Sequence, residues 1–187
     1  MPFPTEQSLH ELVEPLARRA GLDLEEIKAH KAGAKSSVSV FVDADERPDL
    51  DALEALSQEI SQLFDAAEAA GELSFGAQGY TLEVSTPGVE RPLSLPRHFR
   101  RNRGRLLSAR LGEEKIEGRI GALNEAEDEL ALVVRAGAAQ KGRAGKKLQV
   151  LRVRLAELSQ AVVKIEFAAV PEEERAVAEA DFDQAIA

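Results

Sequence analysis

Apolar residues recur every three or four positions in two stretches of the first half of the chain, and this spacing predicts two amphipathic helices. The first helix is predicted to begin after Thr5 and to end at Gly21. Pro15 lies inside this helix and is expected to kink or break it, because proline has no backbone N–H. The second helix is predicted to begin after Asp49 and to stop at Gly71.

Three further segments of the first half alternate between apolar and polar residues, which is the period of β-strands. Val38, Val40 and Val42 fall on one face of a predicted half-buried antiparallel strand. The alternation slips near Glu25, which predicts a bulge. The predicted strands are residues 22–32, 36–42 and 79–85. The order helix, strand, strand, helix, strand indicates an α+β domain over residues 5–86, with a three-stranded sheet packed on two helices.

The second half carries strand-like alternation only, after a linker at residues 87–103 that includes a predicted short helix. The predicted strands are residues 105–111, 115–123, 129–135, 147–155 and 161–167. Five short strands indicate a small closed barrel over residues 104–168, either SH3/Sm-like or an OB-fold. A single turn predicted before the last strand favours the SH3/Sm-like barrel. The acidic, alanine-rich tail, residues 169–187, is predicted to be flexible and to pack little.

Charge divides the chain into parts of opposite sign within a formal net charge of −9. Residues 1–86 hold 17 acidic and 6 basic side chains, residues 87–170 hold 10 and 17, and residues 171–187 hold 6 and 1. Charges beyond about 8–10 Å are screened at physiological salt, so the basic segment can meet a polyanion although the chain is acidic. The alternative is that both sets of charges are solvated surface. The asymmetry suggests two surfaces with different partners.

The residue types that catalysis or metal binding would need do not occur in suitable patterns. There is no cysteine, and His10, His30 and His98 lie far apart without metal-ligand spacing. Ser85 is not surrounded by a nucleophile-elbow motif. The acidic cluster at residues 43–51 lacks the glycine and terminal glutamate of a calcium loop, so a solvated turn explains it better. We therefore predict no enzymatic activity, no catalytic residue, no cofactor and no metal.

No apolar run approaches the roughly 20 residues that span a bilayer, and residues 1–15 carry no lysine or arginine. A secretory signal is therefore not expected. The interpretation is a soluble cytoplasmic protein with no membrane partner. Nothing in the sequence demands a dimer, so a monomer is expected.

The most specific segment runs from the third predicted strand into the linker, at residues 82–93. Pro87 presets φ for the second position of a turn, and Gly88 permits the positive φ that a type II turn needs next. Arg91 would then project from a rigid base toward a phosphate or carboxylate. The alternative is that Arg91 pairs with an acid of its own domain. The residues of this predicted hinge are Ser85, Pro87, Gly88, Arg91 and Pro92.

The string Leu-Glu-Val-Ser-Thr-Pro-Gly-Val-Glu-Arg-Pro-Leu at residues 82–93 resembles the signature of the bacterial ribosome maturation factor RimP family. The likeness extends over residues 7–167 and includes the basic segment at 97–103. The loop at 136–146 is longer and more basic than the family's pattern, and the acidic tail after Phe167 is additional. The resemblance implies an α+β domain followed by an SH3/Sm-like barrel.

The same resemblance implies a function in assembly of the small (30S) ribosomal subunit, with contacts to rRNA and to the small-subunit ribosomal protein numbered twelve. It assigns no catalytic residue. A run of arginines is predicted to contact rRNA phosphates, and the scarcity of aromatic residues argues against recognition by base stacking. This run is Arg97, Arg100, Arg101, Arg103, Arg105 and Arg110. The alternative function is a protein-binding adaptor whose barrel makes no direct RNA contact.

Overall fold

The computed structural model describes residues 3–32, 35–135 and 147–187, and the chain divides into two compact units, Met1–Pro87 and Gly88–Ala187. The first boundary lies one residue from the predicted end of the α+β domain. The predicted linker at 87–103 belongs to the second unit, because Phe99 is buried in that unit's core. The basic loop predicted at 136–146 lies outside the described residues.

Helix α1 (Glu6–Arg19) opens the first unit, and both of its predicted ends are confirmed. The Oγ1 atom of Thr5 accepts a hydrogen bond from Ser8 N at 3.1 Å, and Gly21 has φ 73°. The predicted break at Pro15 is wrong, because the helix continues through it. Pro15 is exposed, so the carbonyl that loses its N–H partner, four residues earlier, belongs to a helix face in water.

Three strands form the sheet of the first unit: β1 (Asp23–Ala32), β2 (Lys35–Asp43) and β3 (Tyr80–Ser85). Strand β2 is central, antiparallel to β1 and parallel to β3. Helix α2 (Leu50–Ala70) makes the crossover that a parallel pair requires. The register of β1 shifts between Leu24 and Glu26, which confirms the predicted bulge.

The core of the first unit lies between the sheet and the two helices. Val38, Val40 and Val42 are each 0 % exposed, as the alternation predicted. The stripe of α2 faces them with Leu56, Ile60 and Phe64. Asp49 caps α2 by accepting a hydrogen bond from Ala52 N at 2.8 Å. The predicted α+β fold of this unit is confirmed.

The second unit contains helix α3 (Pro96–Arg101) and five antiparallel strands. These are β4 (Leu106–Leu111), β5 (Glu114–Leu123), β6 (Glu129–Arg135), β7 (Leu148–Arg154) and β8 (Leu158–Val163). Their order is β7-β6-β5-β4-β8, which makes a barrel-like sheet that is not closed. A 3₁₀ turn (Leu155–Glu157) leads into β8. The SH3/Sm-like fold class is confirmed, but the predicted closure of the barrel is wrong, because the strand order leaves β7 and β8 as the two edges of the sheet.

The last strand begins three residues earlier than predicted. Gln160 has φ 50°, and the pairing of β4 with β8 shifts between Ser108 and Arg110. Beyond this irregularity, Ala161 and Val163 face the core and are buried. Ile165 and Phe167 lie beyond the end of β8 at Val163 and are exposed. The alternation of apolar and polar residues from 161 to 167 therefore continues past the end of β8 and does not mark a strand of that length.

The acidic tail is not the flexible segment that composition predicted. It forms helices α4 (Glu172–Glu179) and α5 (Phe182–Ile186). Ala178 is 0 % exposed and Phe182 is 8 % exposed, and the Phe182 side chain packs with Ala122 and Ala131 of the barrel. Composition missed this because the buried tail residues are few.

Candidate nucleic-acid interface

The predicted hinge contains a turn, but the turn lies two residues later than expected. Arg91 N donates to Gly88 O at 3.2 Å, so Val89 and Glu90 occupy the middle of the turn. Gly88 is not among the residues with positive φ. The predicted type II turn at Pro87-Gly88 is therefore wrong, since Gly88 opens the turn in a conformation that needs no glycine.

The residues around this turn are anchored on both sides. Ser85 ends β3 opposite Phe41, and the Oγ1 atom of Thr86 accepts from Arg47 Nη2 at 3.0 Å. On the other side, Leu93 N donates to Ala161 O at 2.7 Å. These contacts fix the backbone where it leaves one unit and where it joins the other.

The sequence suggested that Arg91 projects into solvent, but the structure does not place it so. Its side chain is half-buried, and its Nη1 atom is out of solvent. The neighbouring Pro92 is exposed. A half-buried guanidinium is better suited to organising its own surroundings than to capturing a ligand from solution.

Helix α3 carries three of the six arginines and is fixed at both ends. The Nδ1 atom of His98 accepts from Ser94 N at 3.1 Å and from Leu95 N at 3.2 Å, which satisfies N–H groups that the short helix leaves open. Asn102 Nδ2 donates to His98 O at 2.8 Å. Phe99 is 2 % exposed and ties the helix to the barrel core. The arginines of α3 thus extend from a rigid base.

Arg100, Arg105 and Arg110 of the predicted phosphate-contacting run are exposed and pair with surface groups, and we call them the exposed arginines. Arg100 pairs with Glu127, an exposed partner. Arg105 Nη1 donates to Asn102 Oδ1 at 3.1 Å, and Arg110 Nη2 donates to Glu113 O at 2.5 Å. Arg97 and Arg101 are half-buried.

Arg103, also in the predicted phosphate-contacting run, binds the tail in this structure. Its Nε donates to Ala178 O at 2.9 Å, and its Nη2 donates to Ala180 O at 2.7 Å. Both carbonyls lie at the C-terminal end of α4, where the helix dipole favours a cation. The tail therefore uses an arginine that the sequence placed in the phosphate-binding run.

A buried ion network, which sequence reasoning missed, lies next to Arg103. Arg119 of β5 is 3 % exposed, and its Nη2 donates to Glu166 Oε1 at 2.8 Å and to Glu174 Oε2 at 2.9 Å. Its Nη1 also donates to Gly104 O at 2.9 Å. Arg135 pairs with the other oxygen of Glu174. One signal was available, because Glu174, Ala178 and Phe182 follow one another at four-residue intervals.

The network shifts the ionisation of its members in the directions that pairing requires. Hydrogen bonding from Arg119 lowers the pKa of Glu166, against the effect of burial. Burial alone would raise the pKa of Glu174, but hydrogen bonds from Arg135 and Arg119 outweigh it and lower the pKa. The hydrogen bond to Glu166 raises the pKa of Arg119, against its desolvation. All three groups are therefore charged at neutral pH.

Two features are absent from the part of the chain that the structure describes, residues 3–32, 35–135 and 147–187. No group of three or more histidine, cysteine, aspartate or glutamate side chains among them could hold a metal ion. None of their helices is long and apolar enough to cross a membrane. The acidic cluster at 43–51 has structural uses instead, since Asp49 caps α2 and Asp43 Oδ1 accepts from Ala44 N at 3.0 Å.

Comparison with known proteins links this architecture to one family. The model of the RimP N-terminal domain matches residues 12–90, which includes most of the segment at 82–93. Ribosome maturation factor RimP of Corynebacterium diphtheriae is 54% identical over 186 residues, covering 100% of this chain and 96% of the relative. The proteins of the same name from Corynebacterium aurimucosum and Corynebacterium kroppenstedtii are 51% and 42% identical, covering 90% and 98% of this chain and 86% and 99% of their own lengths.

Proposed function

Because the chain belongs to the ribosome maturation factor RimP family, we propose that it assists maturation of the small (30S) ribosomal subunit in the cytoplasm, by binding and without catalysis. The identity to relatives of that name along the whole chain carries this proposal. The division of charge between the two units supports two kinds of contact, one with RNA and one with a basic protein.

The exposed arginines, Arg100, Arg105 and Arg110, are the proposed centre of the rRNA contact. Their present partners are an exposed carboxylate, an amide oxygen and a backbone carbonyl. Exposed ion pairs contribute only about 0–1 kcal/mol, so an rRNA phosphate can replace them at small cost. Contacts to phosphates supply affinity with little base specificity, which suits a factor that recognises an unfinished particle. Arg97 and Arg101, which are half-buried, would add to the positive electrostatic potential that attracts the rRNA phosphates.

The acidic first unit is the proposed surface for the small-subunit ribosomal protein numbered twelve. Residues 1–86 hold 17 acidic and 6 basic side chains, and ribosomal proteins are basic. A factor that binds this protein through one unit and rRNA through the other would hold both in register while the particle folds. The chain is proposed to act as a monomer, because each unit has its own core.

Sedimentation tests the proposed function directly. The protein is mixed with immature small subunits and, separately, with finished ones, and each mixture is pelleted through a sucrose cushion. We expect retention with the immature particles and little with the finished ones. Equal retention by both, or by neither, would contradict a function in maturation.

Charge reversal separates the RNA-binding proposal from the adaptor alternative. Arg100→Glu, Arg105→Glu and Arg110→Glu are combined, and the matched control reverses three exposed cations of the first unit, Arg18, Arg19 and Lys31. We expect the first variant to bind immature subunits at least about tenfold more weakly. The slope of the logarithm of its binding constant against the logarithm of salt concentration, called the salt slope below, should be smaller in magnitude by about three. The control should keep the wild-type slope. Undiminished binding by the first variant would favour a protein-binding adaptor.

A further inference from the structure

The acidic tail contacts arginines that four different parts of the second unit bring together, and we call these the tail-facing arginines. Arg119 lies opposite Val133 in the pairing of β5 with β6, and Arg152 lies opposite Ala131 in the pairing of β6 with β7. Arg135 is two residues from Val133. Directly opposed residues, and residues two apart, share one face of a sheet, so these three arginines surround an apolar centre. Arg103 completes the set from the segment before β4.

Each tail-facing arginine has a partner in the tail. Glu174 binds Arg119 and Arg135 through its two carboxylate oxygens. The carbonyls at the end of α4 bind Arg103. The Arg152 guanidinium lies over the ring of Phe182, 5.9 Å from its centroid. The tail thus supplies a carboxylate, a helix C-terminus and an aromatic face to one cationic surface.

The tail is docked on this face rather than merged with the barrel core. A groove of about 310 Å³ remains between β7 and the tail helices, with Leu148 and Val150 on one side and Val177 and Ala185 on the other. The segment that connects β8 to α4 is exposed, and Phe167 within it is 98 % exposed. A movement of the tail away from the sheet therefore has to break the two pairs of Glu174, the two hydrogen bonds from Arg103 and the packing of Phe182.

We propose that this face of β5, β6 and β7 is a second RNA phosphate-binding surface, which the acidic tail occupies in the absence of RNA. Residues 171–187 carry 6 acidic and 1 basic side chains, so the tail presents the same sign of charge as a polyanion. A phosphate that arrives as Glu174 leaves keeps the guanidinium groups paired, whereas loss of the carboxylate alone would remove one of the two carboxylates that pair with the nearly buried Arg119. The exchange therefore favours a polyanion over an empty surface.

The inference rests on the proposed function for the nature of the ligand, but it concerns different residues. The exposed arginines pair with a surface carboxylate, an amide oxygen and a backbone carbonyl. The tail instead holds Glu174, two carbonyls and Phe182 against the tail-facing arginines, and it must move before a phosphate can take those places. Binding would then have two stages, a first contact at the exposed arginines followed by displacement of the tail. The second stage predicts additional salt dependence, since it involves additional phosphate contacts.

A reversible lock on the tail tests this proposal in the full-length chain, which contains no cysteine. Val150→Cys and Ala185→Cys are combined, because the two side chains line the same groove and pack in the same small cluster. The probe is a fluorescein-labelled single-stranded RNA of 20 nucleotides. We expect the oxidised protein to bind about tenfold more weakly than the same protein after reduction, with a salt slope lower by about two or three. Equal affinity of the two forms would overturn the proposal.

A second variant does not depend on a disulfide. Glu174→Gln removes the charge that holds Arg119 and Arg135 and keeps the size of the side chain. We expect its RNA affinity to rise several-fold above wild type, with an unchanged far-UV spectrum, and its matched control is Glu172→Gln in the exposed first turn of α4. An affinity equal to or below wild type would overturn the proposal.

The failure of this inference is distinguishable from that of the proposed function. If the locked, reduced and Glu174→Gln proteins all bind RNA as tightly as wild type, the tail-covered face is not a binding surface, while binding at the exposed arginines stands. If no form binds RNA or immature subunits, both proposals fail.

Discussion

The exposed arginines and the tail-facing arginines lie in the same unit and differ in what surrounds them. Arg100 has a side chain 43% exposed and a partner that is 40% exposed. Arg119 has a side chain 3% exposed and donates to two carboxylates and a carbonyl. Arg135, also tail-facing, has a side chain 42% exposed, so exposure separates Arg119 but not the two sets. Residue type is the same in both sets, so the partners of each arginine, and burial at Arg119, decide which arginines build the fold and which remain available for a ligand.

The largest expected effect is a loss of stability on substitution of Arg119, the buried member of the tail-facing arginines. Arg119→Ala removes the cation between Glu166 and Glu174 and leaves two carboxylates close together, of which Glu174 is nearly buried. We expect the free energy of unfolding to fall by about 3–5 kcal/mol, as when one partner of a buried pair is lost. Chemical denaturation measures it, and Arg110→Ala is the matched control, expected to change stability by less than about 0.5 kcal/mol. Equal costs for the two variants would remove the distinction between the sets.

Acid should weaken the same network while leaving the exposed arginines charged. The folded-state pKa values of Glu166 and Glu174 are lowered, so their ionised forms contribute stability above the unfolded pKa of about 4.3. That contribution is lost as pH falls through the folded pKa. The destabilisation caused by Glu174→Gln should therefore be largest near neutral pH and shrink below about pH 4. Denaturation of both proteins across this range measures it, and a cost independent of pH would contradict the ionised pairing.

Much of the fold follows from the sequence because its determinants are local. The two long helices begin after Thr5 and Asp49 and end near Gly21 and Gly71, as predicted. The valines of β2 are all buried. These positions act through hydrogen bonds and periodicity within a few residues of themselves. The α+β fold and the strand-rich second unit could be predicted for that reason.

The candidate interface was less predictable because its arginines are sorted by contacts distant in sequence. Arg103 is held by residues 75 and 77 positions later, and Arg119 by a carboxylate 55 positions later. Composition also suggested a flexible tail, since its apolar residues are few. One guanidinium network and one buried phenylalanine were sufficient to dock it, and neither can be recognised without knowing which strand lies beneath the tail.

A smaller effect is expected at the start of α3, the helix that carries Arg100. His98→Ala removes the acceptor for Ser94 N and Leu95 N and should cost about 1–2 kcal/mol in stability of the second unit. His98→Asn is the matched variant, because its side-chain oxygen can also accept, and it should recover part of the loss. Hydrogen exchange of the α3 amides measures the local effect. Unaltered exchange in His98→Ala would show that α3 does not depend on the acceptor at His98.

The smallest effect is expected at Gly88, although it lies in the most specific segment of the sequence. Gly88 does not have positive φ, and an added Cβ would meet nothing within 4 Å. Gly88→Ala should therefore change the free energy of unfolding by less than about 0.5 kcal/mol. Gly71 is the matched control, because its φ of 75° strains any side chain, and Gly71→Ala should cost about 1 kcal/mol. If Gly88→Ala were the costlier change, the turn would need glycine after all. If it left stability unchanged but weakened binding to immature subunits, the constraint on this position would come from the partner and not from the fold.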